Sequence, residues 1–357
     1  MNPGKALISP AWRLAERAPL RARNTFGVQA HADLLLEVRD AAALPELFTN
    51  AALRDGPVLV LGGGSNLLFA ADPPGVVLSP CGQDIRILDD GRGSNDDTVL
   101  VRAEAGVEWH AFVLWTLGHG LAGLENLALI PGTVGAAPIQ NIGAYGVEAG
   151  ERIHAVEAFD RNTGAIVKLS GADCGFAYRD SRFKREPGRW IITAVTFQLS
   201  RSADLRLGYA GITEALAQTG ITTPTASQVA EAVCRVRRSK LPDPAVLGNA
   251  GSFFKNPIVA ADLAAQLRQA EPQLPVFPGA DDHSRKLSAA WLIDACGWKG
   301  HREGDAGVSD AHALVLVNHG QATGAQLLAL ARRIAASVSE RFGVMLEPEP
   351  RVIGADW

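Results

Sequence analysis

The segment 130–146, IPGTVGAAPIQNIGAYG, constrains the fold more than any other part of this sequence. Glycine and proline recur in it too closely for a regular helix or strand to form. Its other side chains are too apolar for a loop that lies in water. Such a loop is expected to be buried with its backbone packed closely against something, and a large planar ligand would suit that arrangement.

A second glycine-rich loop, GGGSN at 62–66, follows the apolar run 58–61, which predicts a buried strand. The dinucleotide fingerprint of the Rossmann fold is rejected here, because Leu67 stands where its third glycine is required and residues 72–75, DPPG, prevent the long helix that should follow. A tight turn would explain this loop alone. Together, the two loops indicate a protein that wraps an extended dinucleotide in backbone, where N–H groups can hold phosphate.

Hydrophobic periodicity predicts regular elements elsewhere in the chain. The predicted helices are 41–54, 227–239, 286–296 and 323–342, and the predicted strands are 76–78, 99–103, 153–159, 191–199 and 313–317. Gly343 can cap the last helix. The polar stretch 89–97 predicts a surface turn, and 241–244, LPDP, predicts a linker.

Length, charge and cysteine spacing exclude several classes of function. A chain of 357 residues predicts two or three domains. The net charge of −4 indicates neither a nucleic-acid nor a membrane-surface partner. The four cysteines are far apart, so neither a metal site nor a disulfide framework is expected. The N-terminus lacks an apolar signal segment and no run of about 18 apolar residues occurs, so a cytoplasmic protein is expected.

A set of longer motifs carries a specific resemblance. The motifs are, in chain order, Asn24-Thr25-Phe26, GGGSNLL from Gly62, IPGTVGAAPIQNIGAYG from Ile130, YRDSRFK from Tyr178, KLPDP from Lys240, GNAGSFFKNP from Gly248 and LEPE from Leu346. In this order they closely resemble the UDP-N-acetylenolpyruvoylglucosamine reductase family, from about residue 20 to the C-terminus. The length and the segment 256–286 resemble the longer, type I branch.

The resemblance implies an α+β fold. It implies an FAD-binding region of the vanillyl-alcohol-oxidase (PCMH) type in two subdomains, 1–85 and 86–240, with 343–357 returning to the first. A third, substrate-binding α+β domain is expected at 241–342. A monomer is expected.

The resemblance also implies an activity. NADPH reduces non-covalently bound FAD and leaves, and the flavin N5 then delivers hydride to enolpyruvyl-UDP-N-acetylglucosamine, giving UDP-N-acetylmuramate for peptidoglycan. The expected partners are this UDP-sugar nucleotide and NADPH. The resemblance assigns FAD contacts to Asn24, Thr25, Gly62, Gly63, Gly64, Ser65, Asn66, Leu67, Pro131, Gly132, Thr133, Gly135, Ala136, Gln140, Asn141, Gly143, Ala144 and Gly146.

Three residues match the catalytic positions of the family. Arg179 would hold the substrate carboxylate as negative charge develops, a task that suits a guanidinium. Ser252 would be the proton donor. Glu349 is the third residue, chosen over Glu347 because the family uses the second acidic residue of this motif. From sequence alone, Arg179 would be a surface arginine, Ser252 a turn serine and the glutamates exposed carboxylates.

The family's substrate-contacting positions match Tyr178, Arg237, Lys240, Asn256 and Phe277. Lys240 and Arg237 would suit a diphosphate, although basic residues are also favoured at a solvated helix end. The sequence departs from the family at Phe277, where the type I branch usually has tyrosine, and at Pro350, where valine is commoner. The first departure removes one expected substrate hydrogen bond, and the second is expected to change only a strand edge.

Two alternatives remain open at this point. The first is an FAD oxidase of the same fold that uses oxygen. Such oxidases often tether the flavin through a histidine in an early glycine-rich loop, and neither 62–68 nor 130–146 contains one. The second is a flavin or UDP-sugar binding protein without catalysis, against which the presence of Arg179, Ser252 and Glu349 argues.

Overall fold

The computed structural model describes residues 6–90, 97–202 and 204–357. Within them the chain forms two compact units. The first contains residues up to Ala18 together with Ala32–Gly63 and Pro74–Ser239, and the second contains Pro19–His31, Gly64–Pro73 and Lys240–Trp357. The three-part division expected from the sequence, with boundaries at 85, 240 and 342, stays a prediction.

The described residues form strands and helices in both units. The strands are β1 (Ala6–Ile8), β2 (Trp12–Pro19), β3 (His31–Val38), β4 (Val58–Val60), β5 (Leu67–Phe69), β6 (Val76–Pro80), β7 (Ile85–Asp89), β8 (Thr98–Glu104), β9 (Gly143–Ala144), β10 (Val147–Glu148), β11 (Ile153–Asp160), β12 (Ala165–Ser170), β13 (Trp190–Ser200), β14 (Gly248–Ser252), β15 (Ile258–Ala260), β16 (Val276–Pro278), β17 (Ser284–Leu287), β18 (Arg302–Glu303), β19 (Ala306–Val308), β20 (Val315–Asn318) and β21 (Arg351–Ile353). The helices are α1 (Leu44–Leu47), α2 (Ala51–Arg54), α3 (Trp109–Gly118), α4 (Arg182–Arg185), α5 (Ala210–Ala217), α6 (Ala226–Lys240), α7 (Ala261–Ala270), α8 (Ala289–Ala295) and α9 (Gly324–Phe342).

The first unit is built on two five-stranded sheets. One has the order β1-β2-β3-β6-β4, with β3 and β4 each parallel to β6. The other has the order β12-β11-β13-β8-β7 and is antiparallel throughout. Phe159 and Ile191 of the second sheet pack in one buried cluster with Leu36 of the first sheet and with Phe48, which follows α1. A larger core under the second sheet includes Trp109 of α3. Apolar side chains from both sheets therefore hold this unit together.

The second unit contains the sheets β14-β20-β19-β18 and β15-β17-β16, and the parallel pair β5 and β21. The long helix α9 packs on β19, β20 and β5. It begins at a capping box between Thr323 and Gln326 and ends at Gly343, whose φ is 65°. The predicted helix 323–342 and its glycine cap are confirmed.

Two predicted helices are wrong in part. Residues 41–54 form a 3-10 turn followed by two short helices, because the Asn50 side chain accepts from Ala52 N and starts a new helix at Ala51. Of residues 286–296, the first belong to strand β17, and α8 begins only after Ser288, whose side chain caps it. The turn predicted at 89–97 lies largely outside the described residues.

The predicted strands are confirmed, each with slightly different ends. The segment 130–146 contains only a 3-10 turn at Val134–Ala136 and the two-residue strand β9, as its glycines and prolines predict. Among the described helices, none has the length and apolar character needed to cross a membrane.

Candidate active site

In the first unit, the two glycine-rich loops meet backbone to backbone. A side chain added at Gly63 would place its Cβ 2.9 Å from Cα of Gly132, and one at Gly62 would lie 2.7 Å from Thr133 Oγ1. Carbon atoms in contact are normally about 3.5–4.0 Å apart. Glycine is therefore required at 63, where a side chain would meet backbone, and favoured at 62, where it would meet the threonine hydroxyl.

The same close approach leaves backbone donors available. The N–H groups of Gly62, Gly63, Gly132 and Thr133 donate no hydrogen bond to any residue that the structure describes. Such groups usually find a partner, and successive unused amides form a favourable site for phosphate oxygens. These four amides fit the diphosphate of the dinucleotide that the resemblance implies.

A cleft opens beside these loops. It is lined by Gly62, Thr133, Gly135, Ala136 and Ile139, with apolar residues of the two sheets behind them. The Ile139 side chain is 36% exposed, although the preceding residues Ala137 and Pro138 are buried. An apolar wall next to open amides fits a ligand with a flat ring and a phosphate. The residues present therefore fit FAD.

Two of the predicted cofactor residues, Gly135 and Asn141, contact other segments of the protein. A Cβ on Gly135 would lie 2.5 Å from Cβ of Ala105. The Asn141 amide donates to Glu148 Oε2 and to the Ala177 carbonyl, and its oxygen accepts from Gly150 N. Among the described residues, Gly135 and Asn141 therefore contact other protein segments, and these contacts fix the conformation of the loop. Pro131, Gln140, Ala144 and Gly146 lie in the same loop.

Arg179 lies in a tight turn of the first unit. Ala177 and Asp180 exchange two backbone hydrogen bonds across it, and Arg179 has a φ of 53°. Its Nη2 donates to the Gly143 carbonyl at 2.8 Å. The Tyr178 ring lies 5.4 Å from the guanidinium carbon and is 43% exposed. Arg179 is therefore held against the glycine-rich loop rather than extended into solvent.

Arg237, in α6, is a half-buried cation in the first unit. Burial lowers the pKa of its guanidinium and raises the pKa of the facing Tyr145 phenol. Within the described ranges no carboxylate pairs with Arg237. Tyr145 also packs edge-on against Tyr209 at 5.0 Å, and Tyr209 is 46% exposed. A cation without a counter-ion suits an anionic ligand, and the sequence reasoning missed the two tyrosines because they are distant along the chain.

In the second unit, Ser252 ends β14 opposite Val315. The preceding turn is held by Asn249, whose oxygen accepts from Gly251 N at 2.9 Å and whose amide donates to the Pro242 carbonyl. Gly251 has a φ of 69°. The Ser252 hydroxyl makes no hydrogen bond to the described residues. It is thus available to a ligand.

The segment carrying Glu349 pairs with the residues that follow Ser252. Glu349 N donates to the Phe253 carbonyl at 2.8 Å, and Lys255 N donates to the Glu347 carbonyl at 3.0 Å. Lys255 Nζ also forms an ion pair with Glu347 Oε2. Glu347, the rival in the sequence, is therefore the ion-pair partner of Lys255, and Glu349 is the glutamate bonded next to Ser252.

The loop residues of the second unit lie beside this segment. The Asn66 amide donates to the Glu349 carbonyl and the Asn66 carbonyl accepts from Arg351 N. Leu67 pairs with Arg351 in the two-stranded sheet. Thr25 N donates to the Gly64 carbonyl, next to Ser65 in the chain. The buried Asn24 side chain holds its own loop through the Leu20 and Val28 carbonyls.

The remaining predicted substrate residues have different surroundings. Lys240 is exposed at the end of α6. The Asn256 oxygen accepts from Ala289 N and so caps α8. Phe277 is 44% exposed and pairs across the sheet with Lys286, which pairs in turn with Ile258. Because paired residues share a face, a lysine that sequence reasoning did not select lies beside Phe277. Sequence reasoning did not select this lysine because it assigned residues 286–296 to a helix and therefore missed the pairing of β17.

Known proteins match this chain over nearly its whole length. Residues 243–353 match the family UDP-N-acetylenolpyruvoylglucosamine reductase, C-terminal domain, and residues 32–170 match the FAD binding domain family. A UDP-N-acetylenolpyruvoylglucosamine reductase of Xylella fastidiosa is 58% identical over 99% of both chains. One of Xanthomonas euvesicatoria is 57% identical over 98% of this chain and 99% of the relative. The crystal structure of the Thermus caldophilus enzyme is 28% identical, with a TM-score of 0.65 over 98% of this chain and all of that one.

Proposed function

The chain belongs to the UDP-N-acetylenolpyruvoylglucosamine reductase family, and we propose on this premise which of its residues carry the reaction. It is a flavoprotein oxidoreductase of peptidoglycan precursor synthesis. The proposed substrate is UDP-N-acetyl-3-O-(1-carboxyvinyl)-glucosamine and the product UDP-N-acetylmuramate, with NADPH as the reductant. We further propose a cytoplasmic monomer, as the resemblance implies.

FAD, when bound, supplies hydride transfer from NADPH to the enolpyruvyl double bond. The amides of Gly62, Gly63, Gly132 and Thr133 would hold its diphosphate, because they donate to no described residue. Ile139 and its neighbours in the cleft would contact the ring and exclude water from it.

Arg179 is proposed to bind the substrate carboxylate. Addition at the vinyl group develops negative charge on the carbon beside that carboxylate, and a fixed cation stabilises it. A guanidinium binds a carboxylate through two parallel hydrogen bonds and stays charged throughout. The bond from Arg179 to the Gly143 carbonyl orients the side chain before substrate arrives. Arg237 and Lys240 are proposed to bind the diphosphate of the nucleotide.

Ser252 is proposed to give its hydroxyl proton to that same carbon. Serine is a weak acid, so its proton must be replaced from a partner or a water molecule after transfer. Glu349 is proposed to hold that partner, since its backbone is bonded to the residue after Ser252. This backbone bond is the observation that carries the assignment, because it brings two distant motif residues to the same place.

The test separates two half-reactions by stopped-flow flavin absorbance. Ser252→Ala should keep its FAD and be bleached by NADPH at a near-normal rate. Recovery of the absorbance on adding the enolpyruvyl nucleotide should slow by more than about 10²–10⁴-fold. Ser252→Cys, a better acid of similar shape, should retain more activity. A Ser252→Ala variant with slow bleaching and intact recovery would show that the serine belongs to the cofactor site.

A further inference from the structure

The turn that carries Arg179 has a disfavoured backbone. Arg179 has a φ of 53°, in the left-handed region that favours glycine. A side chain stays there only when neighbouring contacts over-determine the conformation. The contacts that do so here should therefore matter for where the guanidinium lies.

Three hydrogen bonds join this turn to the glycine-rich loop of the first unit. Ser181 Oγ donates to the Ile139 carbonyl at 2.5 Å, and Asn141 Nδ2 donates to the Ala177 carbonyl at 3.1 Å. Arg179 Nη2 donates to the Gly143 carbonyl at 2.8 Å. The loop residues involved are 139, 141 and 143, so alternate residues of the loop are bonded along one edge of the turn.

A fourth contact acts on the strained residue itself. Lys184 Nζ donates to the Arg179 carbonyl at 2.8 Å. Lys184 belongs to α4, which is capped by Ser181: the Ser181 oxygen accepts from Lys184 N. Ser181 is fully buried. The Lys184 side chain therefore starts from a helix with a buried cap. Its ammonium binds the carbonyl of Arg179, the residue whose φ is left-handed.

We propose that Lys184 is a positioning residue for Arg179. Its ammonium stabilises the left-handed turn, and the three bonds to residues 139, 141 and 143 transmit the position of the cofactor loop to the guanidinium. In this proposal Lys184 acts only through Arg179. The inference rests on the carboxylate-binding role proposed for Arg179.

The geometry sets what removal of the ammonium should do. Without it, the Arg179 carbonyl loses a charge-assisted bond and the turn can relax toward ordinary backbone angles. The guanidinium would then shift from the developing charge, and a displacement of about 1 Å can cost about 100-fold in rate. Ground-state affinity for the carboxylate depends less on exact placement, so kcat should fall more than KM rises.

The experiment compares Lys184→Met, which keeps the stem, with Lys184→Arg, which keeps a donor. Lys168→Met, the same change at an exposed site of the same unit, is the control. We expect Lys184→Met to keep FAD content, melting temperature and bleaching by NADPH, and to lose about 10- to 100-fold in the maximal rate of reoxidation by substrate. Product binding to the oxidised holoenzyme, measured by calorimetry, should change by less than about threefold, and Lys184→Arg should recover most of the rate.

A double-mutant cycle with Arg179→Lys separates positioning from general damage. If Lys184 acts through Arg179, adding Lys184→Met to Arg179→Lys should cost little more. Additive losses, equal losses in the Met and Arg variants, or lost FAD would overturn the inference. If Lys184→Met does not fold, Lys184→Gln enters the same cycle. An Arg179→Lys variant with normal reoxidation would instead contradict the proposed function itself.

Discussion

Lys255 and Glu347 are joined twice, by an ion pair of 2.8 Å between their side chains and by a backbone hydrogen bond of 3.0 Å. The sequence after Leu346 is Glu-Pro-Glu-Pro, a two-residue repeat that ends in Pro350. A slip of two residues would put Glu347 where Glu349 lies. Since prolines donate no N–H, Glu349 N is the only backbone donor of residues 348–350, and its bond to Phe253 with the Lys255–Glu347 pair fixes the register.

The two glutamates should therefore respond differently to the same substitution. Glu349→Gln is expected to slow reoxidation by the enolpyruvyl nucleotide by about 10²-fold or more, as for loss of an acid–base group. Glu347→Gln removes the ion pair with Lys255, in which the Glu347 carboxylate is 70% exposed, and such a pair is worth about 0–1 kcal/mol. Stopped-flow absorbance of both variants provides the comparison. Equal rates for the two would mean that the chosen glutamate is wrong.

The contact between the two glycine-rich loops predicts how FAD binding responds to one methyl group. Gly63→Ala would place Cβ 2.9 Å from Gly132 Cα, and such overpacking costs about 1–3 kcal/mol. FAD should bind the apoprotein roughly 5- to 150-fold more weakly, as measured by fluorescence titration. Gly118→Ala, with nothing within 4 Å, is the control. Unchanged FAD affinity in Gly63→Ala would contradict the cradle.

A larger residue at Gly135 tests something else. If Gly135 makes the FAD contact that the resemblance assigns to it, any side chain there would displace the cofactor. In the structure it would meet Ala105 first, with Cβ atoms 2.5 Å apart. A Gly135→Val variant without FAD would therefore report on folding of the loop rather than on contact with the cofactor.

A substitution at Phe277 should strengthen substrate binding. It is 44% exposed and lies beside Lys286 in the sheet, which argues against a core role. Phe277→Tyr should add one hydrogen bond to a charged group, worth roughly 1.5–3 kcal/mol at most. The substrate should bind more tightly, in a titration of the oxidised enzyme, while bleaching by NADPH stays the same. No change in substrate affinity would mean that this ring faces something other than the nucleotide.

Asp160 and Arg189 predict a pH-dependent stability of the first unit. Two hydrogen bonds from Arg189, 3.0 and 2.8 Å long, lower the pKa of the buried Asp160 carboxyl. A lowered folded pKa gives stability that is present above the unfolded value of about 3.9 and is lost as the pH falls through the folded pKa. Asp160→Asn should therefore lower the free energy of unfolding at pH 7 by about 1–3 kcal/mol, and the melting temperature with it. The loss should be smaller toward pH 3.

The control for that measurement is Asp55→Asn, because Asp55 pairs with Arg54 on the surface, where both side chains are more than half exposed. An exposed pair contributes little, so its melting temperature should follow the parent at every pH. If the loss in Asp160→Asn were constant between pH 7 and pH 3, the carboxylate charge would not be the cause.

Local signals predicted the elements that depend on local chemistry. Thr323 and Gly343 mark the two ends of α9 in the sequence, and both are its caps. Asn50 is an equally local cap, and its bond to Ala52 N starts a second helix within 41–54, where periodicity alone predicts one helix. The start of α8 combines a local cap, Ser288, with a distant one, since Asn256 also accepts from Ala289 N across the fold. No local pattern contains that contact.

The candidate site divides in the same way. The motifs supplied Arg179, Ser252 and Glu349, but no pattern indicated that Asn141 joins the loop to the Arg179 turn. Its place depends on a tertiary contact between segments far apart in sequence. Lys184 stood inside a recognised motif, yet its bond to the Arg179 carbonyl is visible only once the backbone is folded.

The left-handed backbone at Arg179 creates a conflict between the stability of this protein and its activity. Glycine adopts a φ of 53° without the penalty that arginine pays there, about 1–2 kcal/mol. Arg179→Gly would remove this penalty together with the hydrogen bond to the Gly143 carbonyl, and on the role proposed for Arg179 the variant would be inactive. Any stabilised version of this protein should therefore be screened for turnover as well as for melting temperature, because relief of the strain at Arg179 would remove the guanidinium that is proposed to bind the substrate.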